Sequence, residues 1–108
     1  MIIVKDGNKK SLLLTLEGEI YKIDLTKHSV KRGKERGIDI SNIVKTIKKA
    51  ASRIRTLNSQ NQSIPFAIVN KNDNTAIIAK KENSTIHVVT VLKNKEFQIE
   101  NVNRVIFL

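Results

Sequence analysis

The segment Asp39-Ile40-Ser41-Asn42-Ile43-Val44-Lys45-Thr46-Ile47-Lys48-Lys49-Ala50-Ala51-Ser52-Arg53-Ile54-Arg55-Thr56-Leu57 decides the architecture. Ile40, Ile43, Val44, Ile47, Ala50, Ala51, Ile54 and Leu57 form one apolar stripe at the spacing of an α-helix. Asp39 or Ser41 caps its start. The other face carries Lys45, Lys48, Lys49, Arg53 and Arg55. Such a stripe has to be buried against another element, and the flanking sequence offers only strands.

Upstream, Thr26 is an N-cap for a first helix running to about Arg36, and Gly37 stands where a glycine ends a helix. Gly33 inside it costs roughly 1 kcal/mol relative to alanine. The helix is almost wholly polar, with Val30 as its strongly apolar residue and Leu25 and Ile38 at its ends. That composition predicts a surface helix anchored at both ends.

Before Thr26 the chain reads as strands: Met1 to Val4, Leu12 to Leu16, and the alternating Ile20 to Leu25, with turns at Asp6-Gly7-Asn8 and Glu17-Gly18-Glu19. After the amphipathic helix comes a polar loop, Asn58 to Ser63. Strands follow at Ile64 to Val69, Thr75 to Ala79, Ser84 to Leu92 and Phe97 to Leu108, the last with a break near Asn101 to Asn103. The turns expected between them are Asn70 to Asn74, Lys80 to Asn83 and Lys93 to Lys95. Short Asn-rich turns favour antiparallel neighbours. The expectation is a single α+β domain over residues 1–108: N-terminal strands, two helices, then an antiparallel β-meander packed against the second helix.

Charge narrows the function. Lys and Arg number 20 against 10 Asp and Glu, a formal net charge of +10 over 108 residues. Such a surface concentrates phosphate-bearing partners, with RNA ahead of DNA. Cysteine is absent, which excludes disulfides and thiolate metal sites, and two histidines do not make a metal site. No metal and no cofactor is expected. Neither a signal peptide nor a membrane-spanning stretch is visible, so no membrane partner is expected; the expected location is the cytoplasm, reached directly or as a delivered toxin domain. Aromatics make up 4% of the chain, too few for a base-stacking platform, so phosphate contacts should dominate.

His28, Arg32 and Arg36 recur one turn apart on the first helix. An imidazole moves protons near neutral pH, and arginine pairs with phosphate oxygens and with charge developing on phosphorus. RNA brings its own nucleophile, the 2′-hydroxyl. The equally available structural account is a polar helix that collects basic residues, with Glu35 paired to Lys31 as a surface ion pair. Lys27, Lys31, Lys34, Lys45, Lys48, Lys49 and Arg53 are the candidate phosphate-binding residues. On the strand Thr85 to Leu92, alternation puts His87 on one face with Val89 and Val91, and Thr90 on the other with Ile86, Val88 and Leu92, unless a bulge intervenes.

The stretch Leu25 to Ile47, with His28, Arg32, Glu35, Arg36, Gly37 and Ile38, resembles the helical start of small domains in the barnase/EndoU/colicin/RelE-like ribonuclease group, found as bacterial toxins and phage proteins. The strand His87 to Val91 looks like their late strand, in which a Ser or Thr joins the site. The resemblance covers about a fifth of the chain. It implies a helix pair on an antiparallel sheet and metal-independent cleavage through a 2′,3′-cyclic phosphate. His28 would be acid or base, Arg32 and Arg36 phosphate clamps, and Thr90 an orienting hydroxyl. A neutralising antitoxin or immunity protein is the partner such toxins imply. The alternatives are a nucleic-acid-binding protein without catalysis and a basic protein-interaction module.

Overall fold

The computed structural model describes residues 2–6, 9–57, 63–93 and 104–108. In chain order the elements are β1 (Ile2–Asp6), β2 (Lys9–Leu16), β3 (Glu19–Thr26), α1 (Lys27–Glu35), α2 (Ile40–Lys49), α3 (Ala51–Arg55), β4 (Ile64–Asn70), β5 (Thr75–Glu82), β6 (Thr85–Lys93) and β7 (Arg104–Phe107). The fold is α+β, with strands first, helices next and a meander last. The expected turn at Asp6-Gly7-Asn8, the loop Asn58 to Ser63, the turn after Lys93 and the span Phe97 to Asn103 lie wholly or partly outside the described residues.

The strands form one sheet in the order β1-β2-β3-β6-β5-β4-β7. Hairpins β1–β2 and β2–β3 and the meander β4–β5–β6 are antiparallel, as their short turns require. Glu17 and Gly18, with φ of 48° and 84°, make the two-residue turn between β2 and β3. Asn74 and Asn83 take left-handed backbone at the two meander turns, a conformation asparagine tolerates better than most residues. Two pairings depart from the antiparallel expectation. β3 runs parallel to β6, and β7 lies parallel to β4 rather than beside β6. Turn chemistry specifies neighbours in sequence; these two contacts join strands distant in sequence.

The three helices among the described residues cover one face of the sheet. Leu12, Leu14 and Leu16 of β2, Tyr21, Ile23 and Leu25 of β3, and Ile86, Val88 and Val91 of β6 meet Ile43, Val44, Ile47, Ala50, Ala51 and Ile54 in one buried cluster. Burying an isoleucine of this kind contributes roughly 1.5–3 kcal/mol. The apolar stripe is as expected, but its helix is interrupted at Ala50 (φ −92°, ψ 1°), which gives α2 and α3. Asp39, not Ser41, is the cap: its carboxylate accepts from the Asn42 N–H at 2.9 Å, and the Asn42 side chain accepts from the Asp39 N–H at 3.2 Å.

α1 starts where expected. Thr26 Oγ1 accepts from the Ser29 N–H at 3.0 Å, and Ser29 Oγ donates back to the Thr26 carbonyl at 2.9 Å. Its buried residues are Ser29 and Gly33, not an apolar stripe. Small residues one turn apart let the polar helix lie close, chiefly against β6. The end is a Schellman motif: Ile38 N–H donates to the Gly33 carbonyl at 2.7 Å and Gly37 N–H to the Lys34 carbonyl at 3.1 Å, with Gly37 at φ 72°. Gly33 therefore serves packing. A Cβ there would stand 2.5 Å from the Ile38 carbonyl oxygen.

Lys81 is buried, at 5% exposure, inside a stretch the sequence reads as a turn. Its ammonium donates to the carbonyls of Ile54 at 3.0 Å and Leu57 at 2.9 Å, closing the C-terminal end of α3. Burial pushes its pKa below the usual 10.5, against a raising influence from Glu19.

Gly33→Ala should destabilise the protein by about 1–3 kcal/mol in urea unfolding, because the backbone clash outweighs the gain in helix propensity. Lys81→Ala should cost about 2–4 kcal/mol by orphaning two buried carbonyls. In the wild type, stability contributed by Lys81 should rise with pH from its lowered folded pKa towards 10.5, since the unfolded chain holds that proton longer. A pH series of urea unfolding curves, compared with Lys81→Ala, checks the sign.

Candidate nucleic-acid interface

Residues 27–55 hold ten of the chain's 20 Lys and Arg, with only Glu35 and Asp39 against them. The burial pattern of α1, α2 and α3 turns that charge to solvent. Lys27, His28, Lys31, Arg32 and Lys34 on α1 and Lys45, Lys48, Lys49 and Arg53 on α2 and α3 are all exposed. Among the described residues, no carboxylate stands within ion-pair distance of Lys27, Lys31, Lys34, Lys45, Lys48 or Lys49. A recess of about 290 Å³ opens between α1 and the start of α2, with Val30, Ile38 and Ile40 on its walls and Lys34 on its lining.

The arginines behave differently from the lysines. Glu35 pairs with Arg32 at 3.4 Å and lies 3.9 Å from Arg36, rather than pairing with Lys31 as the sequence suggests. Helix spacing allows either partner, since Arg32 stands at i,i+3 and Lys31 at i,i+4 to Glu35. Arg36 is also the more enclosed, its side chain 15% exposed against 46% for Arg32. Arg36 and Lys93 share a recess of about 100 Å³ with Asn42, Thr46 and Asp73. Arg53 donates to the Phe107 carbonyl and so ties α3 to β7. Arg55 is held by Glu17 and Glu19, both at 3.2 Å, and the Glu17 hydrogen bond, then the Glu19 charge, keep it more firmly protonated.

Thr90 is not where simple alternation puts it. The ladder between β5 and β6 pairs Ile78 with Thr90 and Ala79 with Val88, so Val89 is an extra residue, a β-bulge. Beyond it the faces exchange. Val91 joins Ile86 and Val88 in the buried cluster, and Thr90 turns to the opposite face with His87. No hydrogen bond or ion pair links Thr90 to His28 or Arg32 among the described residues. The four residues expected to act together thus divide: His28, Arg32 and Arg36 stand along α1 and at its end, and Thr90 stands on the face of the sheet turned away from α1, α2 and α3.

On that face the parallel pairing creates a group the sequence does not announce. β3 and β6 place Asp24 directly beside His87. Asp24 is 7% exposed. Its Oδ1 accepts from Ser11 Oγ at 2.7 Å and lies 3.6 Å from Lys22 Nζ; its Oδ2 faces His87 Nδ1 at 3.3 Å. His87 Nε2 is 4.0 Å from Glu82. His87 stands out in the sequence as a half-exposed strand histidine, but Asp24 reads only as the polar member of an alternating strand. The missing signal is the register between β3 and β6, which nothing local encodes.

No group of three or more His, Asp or Glu able to hold a metal ion occurs among the described residues. Nor is any helix among them long and apolar enough to cross a membrane. No protein-family model, curated protein or solved structure matches the chain.

Proposed function

We propose that this protein binds RNA along its helical face, with phosphates lying across α1 and α2. The observation that carries this is the row of six lysines, Lys27, Lys31, Lys34, Lys45, Lys48 and Lys49, exposed and without a carboxylate partner among the described residues. Ordinary solvated helices mix both signs of charge; an uncompensated row raises the local concentration of polyanion. The recess beside Lys34 offers an apolar contact next to those phosphates. Single-stranded RNA suits this surface better than duplex DNA, because an unpaired base can turn into the recess.

A second reading adds cleavage, as the resemblance to toxin-like ribonucleases implies. It is favoured by His28, exposed on the same helix one turn before Arg32. The imidazole would move the proton of the 2′-hydroxyl, and Arg32 and Arg36 would hold the phosphate once Glu35 yields them; Thr90, across the sheet from this helix, is left out of this reading. The cytoplasm, where RNA is plentiful, is the location this reading fits, and an acidic antitoxin or immunity protein is the partner that would cover the same lysines.

Fluorescence anisotropy with a labelled single-stranded RNA tests the binding. Affinity should fall steeply with salt, and Lys45→Ala/Lys48→Ala/Lys49→Ala should flatten the slope of log K against log salt by about 2, roughly 0.7 for each phosphate that is no longer neutralised. Equal affinity and slope in wild type and triple variant would remove the helical face from the reading. RNA cleavage in EDTA that disappears in His28→Ala would support the second reading.

A further inference from the structure

The recess between α1 and the start of α2 is apolar inside and polar at its mouth. Ile38 and Ile43 are buried and form its floor. Val30 and Ile40 are half-buried, pack against the core, and form its walls. Lys34 on the α1 side, and Asp39 and Ser41 on the α2 side, are exposed at the mouth. Each of these three has bonding capacity left for a ligand. Lys34 has no carboxylate partner among the described residues. Asp39 caps α2 through Oδ1, which accepts from the Asn42 N–H at 2.9 Å, and among the described residues no hydrogen bond reaches its Oδ2. Ser41 Oγ likewise makes no hydrogen bond among them.

The charges at the mouth decide which part of a nucleotide enters. Lys34 continues the row of Lys27 and Lys31 along α1 and draws a phosphate to that side. Asp39, on the α2 side, repels a phosphate and keeps it outside. The neutral base is the part that suits apolar walls, and a recess of about 290 Å³ has room for one of two rings. A carboxylate oxygen is an acceptor only, so the base group it matches is an amino donor. A base that brings a carbonyl or a bare C–H to that oxygen leaves it unpaired, and sites built on such a bond discriminate by it. The Ser41 hydroxyl can donate to a ring nitrogen beside the amino group. We propose that this recess is a base-selective subsite for an amino-bearing purine of single-stranded RNA, with Asp39 as the residue that sets the selection. This assignment rests on RNA binding along the helical face, and adds to it the class of base that is held.

The test is fluorescence anisotropy of the full chain with labelled oligouridylates whose central base is adenine, unsubstituted purine, hypoxanthine or uracil. The wild type should bind the adenine strand at least about 10-fold more tightly than the purine or uracil strand. Asp39→Asn keeps one oxygen for the cap and puts an amide nitrogen, a donor, where the free oxygen stood. It should unfold as cooperatively as the wild type, lose the preference for adenine over purine, and hold hypoxanthine, with a carbonyl in place of the amino group, more tightly than adenine. The readout is the ratio between bases, which a change of net charge or a loosened helix would leave alone. Ile40→Asp, which brings a second carboxylate to the apolar wall, should reduce the adenine strand to the affinity of the uracil strand. A wild type that binds all four strands equally overturns the proposal and leaves the binding reading standing. An adenine preference that survives in both Asp39→Asn and Ile40→Asp overturns it by placing base selection elsewhere. A peptide of glutamates and leucines bound by the wild type and not by Ile40→Asp, with the four strands indistinguishable, overturns it in favour of a protein partner. A wild type that binds no RNA ends both readings.

Discussion

The four-residue parallel seam between β3 and β6 makes one sheet out of two hairpin systems. Lys22 to Leu25 lie beside Thr85 to Val88, and the Lys22 N–H donates to the Ser84 carbonyl at 2.9 Å. Without this seam the N-terminal strands and the C-terminal meander would each present an open edge. With it, β2, β3, β6, β5 and β4 share one continuous apolar face broad enough to receive the helical layer. The same seam brings Asp24 to His87. Ile23 and Ile86 are fully buried on one side of it, and a carboxylate and an imidazole meet on the other.

The helical layer reaches that sheet by two different means. α2 and α3 bury a broad aliphatic stripe, and the energy of that burial tolerates the interruption at Ala50. α1 has almost nothing apolar to bury and relies on close approach. Ser29 and Gly33 occupy little space, the reversal through Gly37 keeps the next stretch of backbone within hydrogen-bond distance, and Ile38 fills the corner. Packing by small residues leaves the long basic side chains of α1 on the other side. Its surface is therefore charged because its interior contact needs so little of the sequence.

The two faces of the molecule have different electrical characters. The helical face is a field of lysines with the carboxylates drawn off to arginines: Glu35 to Arg32, and Glu17 and Glu19 to Arg55. Exposed pairs of this sort add little stability, but they decide which cations remain for a ligand. The sheet face mixes signs in a row, from Ser11 and Asp24 through His87 to Lys80, and has exposed apolar residues on either side, Leu13 and Ile20 near one edge and Val105 and Phe107 near the other. A uniform field of one sign concentrates polyanions, which a face of mixed signs does not.

Local order was legible in the sequence wherever a residue's role depends on its neighbours in the chain. The caps at Thr26 and Asp39, the helix end at Gly37, the Glu17–Gly18 turn, the amphipathic stripe from Ile40 to Leu57 and the α+β order all follow from spacing and backbone preference, as does the exposure of the lysines. What the tertiary structure decided are the contacts between elements far apart in sequence. Alternation cannot anticipate a bulge, because one extra residue at Val89 reverses every later side chain. Gly33 looks like a weak point until the Ile38 carbonyl is seen against it, and Lys81 looks like a turn residue until its ammonium meets the end of α3. The partnership of Asp24 and His87 spans 63 positions and exists because two strands pair in one register. Hydrophobic periodicity sets which face of an element is buried, but only the assembled sheet sets which residues on the other face stand side by side.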